Sequence, residues 1–184
     1  MGAIKTPEEI ERMRIAGELT ARTLNHITPF VKAGVTTNEI NNMAHDFIVN
    51  ELDAYPASLG YRGFPKSLCT SVNHVICHGI PGDKKIKNGD IVNVDIVVKK
   101  DGYHGDSSKM FCIGQCPVLA QRLIKVTQEC LYLGIKMVKP GVMLGDIGHM
   151  VSKHAHANGF SVVREYCGHG VGASMHEDPQ VMHY

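Results

Sequence analysis

Asp101-Gly102 is a two-residue hairpin signal set between two β-rich runs, and it constrains the fold more tightly than any other stretch of the chain. Residues 91–98 (Ile-Val-Asn-Val-Asp-Ile-Val-Val) read as one strand and residues 103–113 as the returning one. With the turn at 101–102, Lys100 faces Tyr103 and Val97 faces Asp106, so Asp95 lies two residues along from Val97 on the same side. Asp95 and Asp106 are then diagonal neighbours, about 7–8 Å apart at their α-carbons. Two ionised carboxylates that close, one of them within a run of Ile and Val, repel each other and lose hydration unless a cation sits between them. A divalent metal is the simplest occupant.

The 184 residues, 43% of them apolar, suffice for a full core, and the length fits one domain spanning 1–184. Nineteen basic residues against 18 acidic ones leave no net field for nucleic acid or an anionic membrane. Apolar runs fall short of the roughly 18 residues a membrane span needs. Acidic residues stand where a signal peptide would be apolar, so a soluble, unsecreted, cytoplasmic protein is expected. The six cysteines form no Cys-x-x-Cys pair and are expected to be reduced thiols, mostly buried.

Thr6-Pro7-Glu8-Glu9 reads as a capping box with proline at the first helical position, and Ile10, Met13, Gly17 and Leu24 carry that helix towards Pro29. Thr36 to Glu39 opens a second helix ending near Glu51, Pro117 a third running to Lys139, and Leu144 a fourth that stops at Gly159. Val31-Lys-Ala-Gly-Val recurs as Val138-Lys-Pro-Gly-Val, and Ile40 and Met43 align with Ile147 and Met150, each pair 107 positions apart. An internal repeat, 6–115 and 117–184, follows. Counting back 107 from Tyr184 lands on Cys77, before the first half has made its hairpin, so the second half is expected to be incomplete.

Reactive side chains gather in Cys77-His78-Gly79-Ile80-Pro81, in the Asp95/Asp106 hairpin, and in Cys167-Gly-His169-Gly-Val-Gly172 followed by His176-Glu177-Asp178-Pro179. The glycines flanking His169 suit an imidazole aimed at a fixed point. His149, His154 and His156 lie on the fourth helix, with 154 and 156 about 200° apart, and read as a solvated face. Lys84-Lys85-Ile86-Lys87 reads as a solvated turn.

His-Gly-Ile-Pro at 78–81, Gly-Asp-Ile-Val-Asn-Val-Asp at 89–95, Asp-Gly-Tyr-His-Gly-Asp at 101–106 and Arg-Glu-Tyr-Cys-Gly-His-Gly-Val-Gly at 164–172 together resemble the bacterial type I methionine aminopeptidases. The resemblance runs from about Ile4 to Tyr184. It implies the pita-bread α/β (α+β) fold, two pseudo-symmetric halves with helices packed on a largely antiparallel curved sheet. It also implies two divalent ions (Co, Mn, Fe or Zn) held by Asp95, by Asp106 as the bridging carboxylate, and by His169, which lower the pKa of a bridging water so that hydroxide attacks the peptide bond at neutral pH. His78 and His176 match the catalytic positions that contact substrate, with His176 placed to hydrogen-bond the carbonyl oxygen as it gains charge. Tyr61, Phe64, Cys69 and Met175 match the apolar methionine pocket, where a methylene is worth about 1–3 kcal/mol.

The implied substrates are N-terminal methionyl peptides and nascent chains, met at the ribosome, by an enzyme whose full-length form is a monomer. Members of the family complete the site with two glutamates that this chain ends before reaching, and Glu165 and Glu177 do not replace them, so the chain alone is expected to be an incomplete and aggregation-prone enzyme. Two other readings compete with this one. A non-catalytic pita-bread protein binding a protein or RNA partner would not be expected to keep Asp95, Asp106 and His169 together, and a prolidase-like or creatinase-like enzyme would carry a large extra N-terminal domain.

Overall fold

Two reciprocal capping boxes start the first two helices of the computed structural model, which describes residues 4–184. The Thr6 and Thr36 side chains accept the amide hydrogens of Glu9 and Glu39, whose carboxylates accept the Thr6 and Thr36 amides at 2.7 Å. They open α1 (Pro7–Ile27) and α2 (Thr37–Asp46), and α2 continues as a π-helical turn, Phe47–Glu51. After β1 (Tyr55–Pro56) and β2 (Cys69–Val72) come the paired strands β3 (Ile91–Lys100) and β4 (Tyr103–Cys112), then α3 (Val118–Met137), α4 (Leu144–Ala157), β5 (Gly168–Gly170) and β6 (Glu177–Val181). The chain divides into two compact units. None of the described helices is long and apolar enough to cross a membrane.

The first unit, Ile4–Cys116 with Val171–Met175, is built on a four-stranded antiparallel sheet with β3 at its centre. Along one edge β3 pairs β4 from Ile91↔Cys112 to Lys100↔Tyr103, and along the other it meets β2 (Cys69↔Asp95) and β1. Register and turn are those expected from Asp101-Gly102. The pleat sends Val92, Val94, Ile96 and Val98 to one face, where they are fully buried in a core with Leu24, Ile27, Ile40 and Ile48. Helix α1 packs across β3 and β4 on this face. Contact is tight at Gly105, where a Cβ would collide with the backbone of Ala16 and Gly17, and the Thr20 hydroxyl donates to the Gly105 carbonyl at 2.9 Å. Burial along α1 starts at Ala16, and Ile10 is 56% exposed, so the apolar stripe is shorter than its sequence period. Ile86 of the expected solvated turn is buried among three exposed lysines.

In the second unit, Pro117–Gly170 with His176–Tyr184, α3 packs on α4 around Val126, Cys130 and Ala155, with Val151, Phe160 and Val162 against them. Gly148 of α4 lies where a Cβ would press on the carbonyls of Met182 and Tyr184. His149 and His156 are exposed as expected. His154 is not, because its Nε2 lies 2.8 Å from a Glu129 carboxylate oxygen on α3, which draws it half into the helix interface. All six cysteines are free thiols, but only Cys69, Cys116 and Cys130 are buried; Cys77 and Cys167 are half-buried and Cys112 is exposed. Cys112 ends β4 in the facing-out half of the pleat, which makes "mostly buried" too strong for these six.

Candidate metal centre

The face of the sheet turned away from α1 carries the two aspartates of the paired strands. Asp95 lies opposite Cys69 on one side and Ser108 on the other, while Asp106 lies opposite Val97. Alternation therefore puts Cys69, Asp95, Val97 and Asp106 on one surface. Electrostatics reports the same grouping. The Cys69 thiol is pushed up to about 12, first by burial and then by the negative charges of Asp95, Cys77 and Asp106. Two carboxylates on one face form an oxygen-donor set of the kind that suits a divalent cation.

Beside the carboxylates the same face has an apolar wall. Met175 and Ala57 are buried against Val97, the residue directly opposite Asp106, and Tyr61 packs on them. Of the four expected pocket residues, Tyr61 and Met175 thus meet through Val97, and Cys69 lies on β2 across from Asp95. Phe64 stands at the end of the same turn as Tyr61, its amide donating to the Tyr61 carbonyl at 2.9 Å, but it is outside that cluster. The 171–175 segment is held over the sheet by His104, whose backbone amide and ring Nδ1 both lie 2.9 Å from the Gly172 carbonyl. A carbonyl only accepts, so Nδ1 carries the proton. His104 has no role in the sequence reading, although the pleat already places it, opposite Lys99, on the face that bears Asp106.

The 77–81 segment docks on β2: the Thr70 amide donates to the Gly79 carbonyl at 2.8 Å and the Gly79 amide to the Ser71 hydroxyl at 3.2 Å. A Cβ at Gly79 would collide with the Thr70 carbonyl, so only glycine allows this approach. The turn sets His78, an exposed residue, at φ +57°, a left-handed conformation costing a non-glycine residue on the order of 1 kcal/mol.

In the second unit His169 lies on β5 opposite Gln180, next to a bulge, and His176 precedes β6. Their rings stand 4.2 Å apart at the centroids, tilted by 37°. His169 Nδ1 donates to the Gly170 carbonyl at 2.9 Å, which fixes the tautomer and leaves Nε2 as the nitrogen with the lone pair, the arrangement a metal-ligating histidine needs. Among the described residues, no three His, Cys, Asp or Glu side chains stand as a ready-made cation cluster. Asp95 and Asp106 belong to one unit and His169 to the other.

Known proteins match this chain over nearly its whole length. The model of metallopeptidase family M24 matches residues 11–184. Methionine aminopeptidase of Salmonella typhimurium is 58% identical over 183 residues, which are 99% of this chain and 69% of the relative, and that of Escherichia coli K12 is 57% identical over the same span. Among solved structures, methionine aminopeptidase from Rickettsia prowazekii superposes with a TM-score of 0.97 at 49% identity, covering 100% of this chain and 74% of that one. The prolidase from Pyrococcus furiosus, at 21% identity and a TM-score of 0.83, shares the fold alone. The chain has the pita-bread α/β fold and belongs to metallopeptidase family M24.

Proposed function

We propose that this chain works as a methionine aminopeptidase, a metal-dependent exopeptidase that removes N-terminal methionine from peptides and nascent proteins in the cytoplasm, as a monomer that meets its substrates at the ribosome. The observation that supports it most is the pair Asp95 and Asp106 on one sheet face, both acting on the Cys69 thiol, beside the wall of Tyr61, Val97 and Met175. Asp95, Asp106 as the bridging carboxylate and His169 through Nε2 would hold two divalent ions, whose identity among Co, Mn, Fe and Zn these donors leave open. Bound there, such ions would supply Lewis acidity and lower the pKa of a coordinated water towards neutrality.

The chain's own residues do the rest. Tyr61 and Met175 offer the methionine side chain a soft apolar surface, with Cys69 and Phe64 at its margins, and Met175 adapts its shape to the thioether. His176, its ring tilted against that of His169, donates an N–H hydrogen bond to the substrate carbonyl oxygen as it gains charge, and His78 binds the substrate backbone. Hydrolysis of Met-Ala-Ser with Mn or Co added tests the reading. Asp106→Asn is expected to lower the rate at least ~100-fold, while Phe64→Leu alters KM more than kcat. Hydrolysis that survives Asp106→Asn unchanged would sink the assignment.

A further inference from the structure

We propose that Cys112 and Cys116 form an oxidisable dithiol, a modification site at the end of β4 that takes up a disulfide from low-molecular-weight disulfides. Neither thiol has a part in the proposed peptidase chemistry: alternation puts Cys112 on the same face as Asp106, but at the far end of β4. They are also the two cysteines closest in sequence, spaced Cys-x-x-x-Cys.

A pair four residues apart can bridge only if the chain folds back between its members. Here it does. β4 ends at Cys112, and Gly114 turns the chain at φ +63°. The amide of Ile113 and the Sγ of Cys116 both donate to the carbonyl of Asp90, at 2.9 and 3.2 Å, so residues 113 and 116 converge on one atom. Cys116 Sγ also lies 3.9 Å from the Ile113 carbonyl, and the Gln115 amide is held by the Asn88 side chain at 3.2 Å. Within this wrap around the 88–90 turn, burial and then the neighbouring Cys116 side chain raise the Cys112 thiol above its ordinary value.

The two differ in access. Cys112 is exposed and open to a reagent, while Cys116 is buried, 7% exposed. That division fits the two steps of thiol–disulfide exchange. The Cys112 thiolate attacks one sulfur of a small disulfide RSSR and expels RS⁻, leaving Cys112 joined to SR. The Cys116 thiolate then attacks the Cys112 sulfur, the Cys112–Cys116 bond forms and the second RS⁻ leaves. The protons of the two cysteines pass to the two RS⁻ groups, two electrons move from protein to reagent, and the products are one protein disulfide and two RSH.

Oxidised glutathione is the probe. The native protein is incubated with it, quenched in acid, alkylated and digested with trypsin, which releases both cysteines in one peptide, residues 110–122. The expected product is that peptide unalkylated and lighter by about 2 Da for the two hydrogens lost, restored by dithiothreitol. Cys116→Ser is expected to keep glutathione on Cys112, with its far-UV circular dichroism reporting that the fold is intact. A bridge joining Cys69 to Cys77 instead, a mixed disulfide that persists on Cys112 in the unsubstituted protein, or full alkylation of both residues after treatment would each overturn the proposal.

Discussion

In the first unit Ile96, Val94 and Val98 vanish between β3 and α1, whereas α3 of the second unit buries only Val126, Cys130 and Gly134 and leaves Leu131 60% exposed, with Leu119 and Ile135 similarly open. Both regions begin with amphipathic helices joined by a Val-Lys-x-Gly-Val connection. What separates them is the sheet. A helix stripe is buried to the extent that a second layer faces it, and β3 with β4 gives α1 such a layer, while within its unit α3 has α4. Amphipathic period therefore predicts that a helix forms better than it predicts how deeply each apolar residue ends up.

The contrast can be broken by mutation. Ile96→Ala, at the fully buried centre of β3, is expected to cost about 2–5 kcal/mol in chemical denaturation; a smaller loss would mean that the sheet core relaxes around the cavity. Gly105→Ala forces a methyl into the backbone of α1 and is expected to cost about 1–3 kcal/mol, measured the same way. Thr36→Ala removes one half of a capping box and should cost about 0.5–2 kcal/mol, with the loss confined to α2 in hydrogen exchange.

Titration sharpens the comparison at the carboxylate face. In metal-free protein the folded Cys69 thiol holds its proton up to about 12, against 9.0 ordinarily, so the unfolded chain releases that proton first. Stability relative to a Cys69→Ala variant is expected to be undiminished below pH 9 and to fall as pH rises through the folded value. Asp95→Asn should bring the thiol down, and Asp106→Asn less so, as followed by thiolate absorbance. The smallest effect is expected on the other unit's open helix: Leu131→Ala should change stability by no more than about 0.5 kcal/mol. A loss comparable to that of Ile96→Ala would show that a layer covers α3 after all.

Much of the carboxylate face was legible in the sequence. Asp101-Gly102 leaves one register for the hairpin, and the period of two then puts Asp95 and Asp106 on the same side without reference to anything else in the chain. Thr6 and Thr36 likewise announce their helices, because a cap needs only residues three apart. His154 and Cys112 were harder. Whether a helical histidine is solvated depends on what the neighbouring helix offers, here Glu129, and whether a strand-end cysteine is buried depends on how far the layer beyond it extends.

Local order is written in residue spacing: strand pairing, helix starts, the pair of acids, and glycine at 79 and 105 where the chain touches other backbones. No spacing foretells that Met175 and Tyr61 close on Val97 beside Asp106, that His104 clamps Gly172, or that the Gly170 carbonyl locks His169 in one tautomer; these come from the packed fold. The reason is range. Caps, turns and pleats act over a few residues and are written in spacing, whereas contacts such as His104 to Gly172 join segments 68 positions apart and exist only once the sheet and its covering loop have been brought together.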